Sequence, residues 1–202
     1  ALTRLEENGH FVAIATGRAH YKARKFTDAN GFKNMVCCGG NGCVIDNELV
    51  ENIPLDKDGC IKIIHQAEEL GYGWCVALDD TKDVYMTDDK FLRQVGKRKE
   101  PTRYIIDDML EVEKADAIYK VYVAIPKEDE EKLTTKELVG HLRFEPEYLM
   151  FQPDNKRGGI IKMMEHLNAD IKDVVVFGDD YNDMDMFCPE WFSIAMGNAC
   201  QD

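Results

Sequence analysis

Residues 178–187 carry the side chains best suited to chemistry in this chain. Four Asp and one Asn lie in this acidic loop, directly after the apolar run 174–177. We expect that run to be a strand buried on both faces, which places the loop at a strand's carboxyl end, where parallel sheets bind ligands. Crowded carboxylates need a compensating cation, and their oxygens suit Mg²⁺ when phosphate is also bound. The alternative is an Asp-rich turn in which Asp180 caps a following helix.

A second group of polar residues follows the apolar segment 11–15. Thr16, Gly17 and Arg18 lie between that predicted strand and a helix predicted over residues 19–29. A hydroxyl, backbone N–H groups and a helix N-terminus can together bind a phosphate. A plain turn explains the same tripeptide equally well.

Two further segments could contribute to the same site. Asn41 and Gly42 follow a third predicted strand, 35–38, in a Gly-rich loop that could bring backbone close to a ligand. The same loop could instead be a simple turn into a hairpin with Asp46 and Asn47 at its tip. Lys156 precedes a helix predicted from residue 160 onwards and could present a positive charge to the site, or it could be solvated.

Composition narrows the class of protein. The chain has 202 residues, 45% of them hydrophobic, which is ample for a packed core. A formal net charge of -13 argues against a nucleic-acid partner, and we expect the basic run 97–99 to be solvated surface. The seven Cys have no C-x-x-C spacing and suit reduced thiols in a cytoplasmic protein. No apolar run approaches the length of a membrane span, so no membrane partner is expected.

The middle of the chain differs in pattern from its ends. Buried strands of the α/β type are predicted in residues 1–50 and 151–202, whereas residues 51–150 alternate as an α+β module does. We therefore expect a discontinuous core interrupted by an inserted cap, which could close over a site and exclude water. The elements predicted in the cap are a helix over 56–70, a hairpin of 74–78 with 84–87, a short helix over 88–96, a half-exposed strand over 119–125, a charged helix over 127–139 and a strand over 142–151.

Four separated motifs occur in one order along the chain. They are Thr16-Gly17-Arg18, Asn41-Gly42, Lys156-x-x-Gly159-Ile160 and Gly178-Asp179-x-x-Asn182-Asp183-x-x-Met186. Together they resemble the haloacid dehalogenase superfamily, and within it the Cof-type (subfamily IIB) sugar-phosphatase branch. The resemblance spans the whole chain. It implies an α/β fold, with a Rossmann-like core built on a parallel sheet and an inserted α+β cap of the C2 type.

The resemblance also implies roles for individual residues. Thr16 resembles the hydroxyl that binds the transferring phosphoryl group, and Lys156 resembles the ammonium that neutralises it. Asp179 resembles the Mg²⁺ ligand, and Asn182 and Asp183 resemble the residues that hold the metal's waters and the loop. Gly17, Arg18, Asn41 and Gly42 are expected to contact the phosphate or the leaving group. The implied activity is Mg²⁺-dependent hydrolysis of a small phosphorylated metabolite through an aspartyl-phosphate.

One expected motif does not occur in these residues. The superfamily's nucleophile lies in an Asp-x-Asp motif at the end of its first strand, and no such motif follows a buried strand here. We therefore expect a strand bearing that motif to precede residue 1, expect a helix to follow residue 202, and expect residues 1–202 alone to be inactive. The alternatives are a phosphomutase of the same superfamily and a non-catalytic phosphate-binding remnant. The sequence carries no signal for the particular substrate or the oligomeric state.

Overall fold

The chain folds into two compact units. A computed structural model describes residues 2–97 and 102–200. The core unit comprises Ala1–Asn52 with Asp154–Asp202, and the inserted unit comprises Ile53–Pro153. The basic run predicted as solvated surface includes Arg98 and Lys99, which lie outside the described residues.

Helices and strands alternate along both units. The α-helices are α1 (Leu2–Glu7), α2 (His20–Asn30), α3 (Lys57–Glu69), α4 (Lys90–Val95) and α5 (Lys156–Leu167). The strands are β1 (Ile14–Ala15), β2 (Met35–Cys37), β3 (Gly42–Ile45), β4 (Glu48–Asn52), β5 (Trp74–Ala77), β6 (Asp83–Met86), β7 (Arg103–Ile106), β8 (Lys120–Val123), β9 (His141–Glu145), β10 (Tyr148–Phe151), β11 (Val175–Gly178) and β12 (Phe192–Ala195).

The described residues of the core unit form two sheets. One is four-stranded in the order β1-β2-β3-β4, with β1 and β2 parallel and the remaining pairs antiparallel. The other is the parallel pair β11-β12. Asp46 and Asn47 turn the β3-β4 hairpin with φ of 49° and 69°, the backbone form that suits a tight hairpin and that Asn and Asp tolerate. The predicted hairpin and its tip are therefore confirmed.

The prediction that residues 174–177 are buried on both faces is wrong. Val176 is 7% exposed, whereas Val175 and Phe177 are 51% and 55% exposed. Among the described residues β11 pairs only with β12, and the buried side of this sheet packs on Met186 and Trp191. The apolar run therefore predicted the position of this strand correctly. The described residues cover only one face of the strand.

Helix α5 connects the two sheets of the core unit. Its N-cap is Asn155, whose side chain accepts a hydrogen bond from the Gly158 N–H. Met163 packs in the cluster on the four-stranded sheet, and Ile160 contacts that cluster and the one under β11. The first turn of α5 is consequently held close to the carboxyl ends of β2 and β11.

The described residues of the inserted unit form a six-stranded sheet, in the order β7-β6-β5-β8-β10-β9. Helix α3 covers one face through Ile63, Ile64 and Ala67, and Phe91 of α4 packs on the other face. The predicted strand over 119–125 is confirmed as β8, but its predicted half-exposure is wrong, because β8 lies centrally in this sheet and its last three residues are buried.

The predicted charged helix over 127–139 is also wrong. This segment forms two 3-10 turns, Lys127–Lys132 and Lys136–Leu138. Between them the side chain of Gln66, on α3, donates to the Thr134 hydroxyl and accepts from the Thr135 N–H. Thr134 and Thr135 are β-branched and are hydrogen-bonded to α3, and these contacts interrupt the backbone hydrogen bonds that a continuous α-helix would need. The charged side chains of the segment alone would permit such a helix.

Within the described residues no helix combines the length and the apolar character that a bilayer span requires. All seven cysteines lie in the part of the chain that the structure describes, and there they form no disulfide.

The contact between α5 and the loop after β2 requires glycine. Gly40 has a φ of 107°, and a Cβ there would overlap the Asn155 carbonyl directly before α5. We expect Gly40→Ala to lower the free energy of unfolding by about 1–2 kcal/mol through backbone strain and by roughly 1–3 kcal/mol more through overpacking, measured by urea unfolding.

Gly31→Ala is the matched control for this prediction. Gly31 also has a positive φ, 76°, but open space surrounds its Cβ position, so only the strain should be felt. If Gly40→Ala and Gly31→Ala lowered the free energy of unfolding equally, the close approach of α5 to the loop after β2 would be contradicted.

Candidate active site

Thr16 follows β1 and organises the first of the candidate loops. Its N–H donates to the Val36 carbonyl at 2.9 Å, which extends the pairing of β1 with β2. Its hydroxyl accepts a hydrogen bond from the Arg18 N–H at 3.2 Å. A hydroxyl that accepts one hydrogen bond can still donate its own proton, so Thr16 can serve an anion as a donor. Gly17 is half-buried between them, and Arg18 is exposed.

The loop after β2 is hydrogen-bonded to the Thr16 loop. The Cys38 N–H donates to the Arg18 carbonyl at 2.8 Å, and the Gly39 N–H donates to the Thr16 carbonyl at 3.3 Å. Residues Cys38–Gly40 form one 3-10 turn, after which Asn41 is half-buried and Gly42 begins β3. The segment is therefore a turn into the β3-β4 hairpin, as one sequence interpretation had it. It also contacts the Thr16 loop, as expected if it lies near a ligand.

The start of α5 is hydrogen-bonded to the same loop. The Asn155 N–H donates to the Gly39 carbonyl at 2.8 Å. A Cβ on Gly159 would lie 2.8 Å from the Gly40 backbone, so both glycines are needed for this packing. Lys156, the first residue of α5, is thereby fixed beside a loop that contacts Thr16.

Lys156 is buried, which excludes the solvated alternative. Its side chain is 3% exposed and its Nζ donates to Asp183 Oδ1 at 2.5 Å. The other carboxylate oxygen, Asp183 Oδ2, accepts from the Asp179 N–H at 3.1 Å. One carboxylate therefore joins α5 to the acidic loop and orients the backbone of Asp179. Asp180, the alternative capping residue, accepts from the Tyr181 N–H at the start of a 3-10 turn, Tyr181–Met186.

Asp179 is exposed at the end of β11 and is oriented by a residue that the sequence interpretation gave no role. Asn198 Nδ2 donates to Asp179 Oδ2 at 2.9 Å, and the Cys200 N–H donates to the Asp179 carbonyl at 3.0 Å. Asn198 belongs to the segment after β12. Asn198 lies three positions after the end of β12, but nothing in one sequence paired it with Asp179.

Two further carboxylates surround the start of α5. Asp185 Oδ2 accepts from the Arg157 N–H at 2.9 Å, which adds a second link between the acidic loop and α5. Burial, and then the nearby Asp185 carboxylate, raise the pKa of Asp154. Neither residue was singled out from the sequence.

The donor set fits Mg²⁺ better than a transition metal. Among residues 2–97 and 102–200, no three His, Cys, Asp or Glu side chains converge as a protein metal cage would require. Mg²⁺ is usually held by one or two carboxylates, waters and a substrate phosphate. Asp179 and Asp183 supply two carboxylates, and Asn182 lies in the turn between them with an amide oxygen.

The chain is similar in sequence to bacterial proteins that are named as phosphatases. "Putative phosphatase YkrA" of Bacillus subtilis (strain 168) is 26% identical over 201 residues, which cover 98% of this chain and 77% of that protein. "Pyridoxal phosphate phosphatase YbhA" of Escherichia coli (strain K12) is 26% identical over 220 residues, covering 98% of this chain and 79% of that protein.

Solved structures share the fold. TM0651 from Thermotoga maritima has a TM-score of 0.78 at 23% identity, covering 98% of this chain and 78% of that chain. The subclass IIB sugar phosphatase BT4131 has a TM-score of 0.69 at 18% identity, covering 100% of this chain and 79% of that chain. The expected Rossmann-like core with an inserted cap is confirmed. The profile of the haloacid dehalogenase-like hydrolases matches residues 1–202, and the chain belongs to that family.

Proposed function

We propose that this chain belongs to a Mg²⁺-dependent phosphatase of small phosphorylated metabolites. The observation that carries the proposal is the buried ion pair between Lys156 and Asp183, which joins a cation at a helix N-terminus to the loop bearing Asp179. An ammonium is costly to bury unless it is paired, so its placement beside three strand-end loops favours a role in binding negative charge. Relatives named as phosphatases support the same activity.

Thr16, Gly17 and Arg18 are proposed to bind the phosphoryl group. The Thr16 hydroxyl donates to a phosphoryl oxygen, while Gly17 lets the backbone approach it. Asn41 and Gly42 follow a turn that hydrogen-bonds to this loop, which supports their proposed contact with the same anion. Because phosphoryl transfer is mostly positioning and charge stabilisation, a site of fixed donors suits it.

Lys156 is proposed to neutralise the charge that spreads over the phosphoryl oxygens during transfer. Its ammonium has three donors, and Asp183 accepts one of them. The other donors can serve the substrate and the attacking carboxylate. Since the negative charge on these oxygens is redistributed during transfer, Lys156 should stabilise the transition state more than the bound substrate.

Asp179, Asn182 and Asp183 would hold the Mg²⁺. The ion would supply positive charge that stabilises the phosphoryl group during transfer. Asn198 holds the Asp179 carboxylate in one orientation, and Asp183 holds the Asp179 backbone. The loop and the segment after β12 therefore together fix the direction in which the carboxylate faces.

The nucleophile is proposed to be an Asp on a strand that precedes residue 1. Ala15 of β1 and Val176 of β11 belong to one packed cluster, yet the described residues place β1 and β11 in separate sheets. The exposure of Val175 and Phe177 on β11 is consistent with an element that the described residues do not contain. A carboxylate nucleophile divides the hydrolysis into two easier steps through an aspartyl-phosphate.

Asp179→Asn and Lys156→Ala are the direct tests, in a protein that includes the preceding strand. Each should lower kcat for Mg²⁺-dependent phosphate release by at least about 100-fold, the scale expected when an electrostatic stabiliser is removed. Phosphate release is measured over sugar phosphates, nucleotides, pyridoxal phosphate and flavin mononucleotide.

Asp180→Asn is the matched control for this test. It removes the same charge from the neighbouring residue while keeping an oxygen that can accept from the Tyr181 N–H, so most of the activity should remain. Undiminished activity in Asp179→Asn would refute the metal assignment. Activity that depends on a sugar bisphosphate would identify a phosphomutase instead.

Residues 1–202 alone should bind Mg²⁺ and inorganic phosphate but release no phosphate from any of these esters. Calorimetric titration measures the binding, and Asp179→Asn should abolish the Mg²⁺ heat. Turnover by residues 1–202 alone would contradict the proposed position of the nucleophile.

A further inference from the structure

Two adjacent cysteines, Cys37 and Cys38, lie beneath the loop that precedes Asn41. Cys37 is completely buried at the end of β2, and Cys38 is half-buried. The Cys38 thiol donates to the Cys37 sulfur, with the two Sγ atoms 3.9 Å apart. Neither thiol has a role in the proposed phosphatase chemistry.

The backbone around the pair is unusual. Cys38 has a φ of 53°, the left-handed region that non-glycine residues rarely adopt and that concentrates at functional sites. Opposite the pair, a Cβ on Gly42 would lie 2.5 Å from the Cys37 sulfur and 3.3 Å from the Cys38 sulfur. The two thiols therefore share one confined space that only a glycine leaves open.

The pair is connected to the proposed phosphate loop through its own peptide group. The N–H between Cys37 and Cys38 donates to the Arg18 carbonyl at 2.8 Å, and the next N–H, of Gly39, donates to the Thr16 carbonyl. A change in the Cys37–Cys38 peptide therefore reaches the two residues expected to bind phosphate.

We propose that Cys37 and Cys38 form a reversible oxidation site for hydroperoxides, and that a disulfide between them releases the Thr16–Arg18 loop and weakens phosphate binding. The disulfide stands on the thiol geometry alone. Its effect on phosphate binding rests on the proposed phosphatase function.

The reaction balances with one hydroperoxide. The Cys38 thiolate attacks a peroxide oxygen, the O–O bond breaks, and the leaving oxygen takes a proton to become an alcohol or water. The Cys37 sulfur then attacks the resulting sulfenic acid at sulfur, the S–O bond breaks, and water leaves with the Cys37 proton. Two thiols are oxidised by two electrons, and the hydroperoxide is reduced by two.

Closing this disulfide must move the backbone. Cα atoms joined by a trans peptide are about 3.8 Å apart, below the roughly 4.4 Å at which disulfides usually begin. Because that spacing cannot widen, the two Sγ atoms must close from 3.9 Å to a bond of about 2.05 Å by rotation of the dihedral angles on either side of the peptide, whose N–H donates to the Arg18 carbonyl. The strain also makes the bond easy to reduce, which suits a reversible modification.

Two other cysteines serve as internal controls. Burial, with Glu51 nearby, raises the pKa of Cys43 to about 11, and burial, with Asp56 nearby, raises the pKa of Cys60 to about 12. Only a thiolate is a strong nucleophile, so these two thiols should resist peroxide. Cys43 also packs in a different cluster of the core unit from Cys37.

The first experiment treats residues 1–202 with hydrogen peroxide, alkylates the remaining thiols and measures peptide masses. Cleavage after lysine gives peptide 34–57, which contains Cys37, Cys38 and Cys43. We expect this peptide to lose 2 hydrogens, roughly 2 Da, as disulfide formation requires, and to regain them with dithiothreitol. The loss should persist in Cys43→Ser and vanish in Cys38→Ser. A bridge to Cys43, or oxidation of Cys38 beyond sulfenic acid without a bridge, would overturn the proposal.

The second experiment measures the connection to the loop. Oxidation should speed hydrogen exchange at the Cys38 amide at least tenfold and weaken the affinity for inorganic phosphate at least tenfold, and both should recover on reduction. In Cys43→Ser these changes should persist. A bridge that forms without faster exchange would overturn the coupling. If the reduced chain binds no phosphate, the proposed function fails, while the masses and the exchange still decide the oxidation site.

Discussion

The buried ion pair between Lys156 and Asp183 is the interaction on which the core unit's site depends. Removing either partner would leave the other charge buried and unpaired, a loss on the order of 3–5 kcal/mol. The pair also fixes the geometry of the site, because one oxygen of Asp183 accepts from Lys156 and the other accepts from the Asp179 N–H. A single carboxylate thus fixes a cation and the backbone of the proposed metal ligand relative to each other.

Hydrogen bonds extend that constraint across segments far apart in the sequence. The acidic loop is joined to Lys156, the residue before Lys156 is joined to Gly39, and Gly39 is joined to Thr16. Two glycines allow the backbones to approach closely enough for these bonds. The same continuity explains why a thiol pair beside Gly39 could influence phosphate binding, since the loops have little freedom to move independently.

Much of this arrangement could be predicted from the sequence because its signals are local. Apolar runs followed by Gly, Thr or Asp marked the strand ends, and the β3-β4 hairpin followed from Asp46-Asn47. Long-range contacts were not predictable, and so Asn198 and Asp185 were missed. The segment 127–139 was misread because its charge pattern suits a helix, whereas the hydrogen bonds of Gln66 to Thr134 and Thr135 decide its structure. The burial of β11 was predicted wrongly because an apolar run indicates that a strand forms. It does not indicate which other elements cover the two faces of that strand.

The central claim is that Thr16, Lys156 and Asp179 serve one phosphate-and-metal site. The most direct measurement is a crystal structure of the chain grown with tungstate, as a phosphate analogue, and Mn²⁺, as an anomalous stand-in for Mg²⁺. The account predicts a Mn²⁺ peak about 2.1 Å from an Asp179 carboxylate oxygen, with tungstate in hydrogen-bond contact with Thr16 Oγ1 and Lys156 Nζ. Ions bound only away from these three side chains would contradict it.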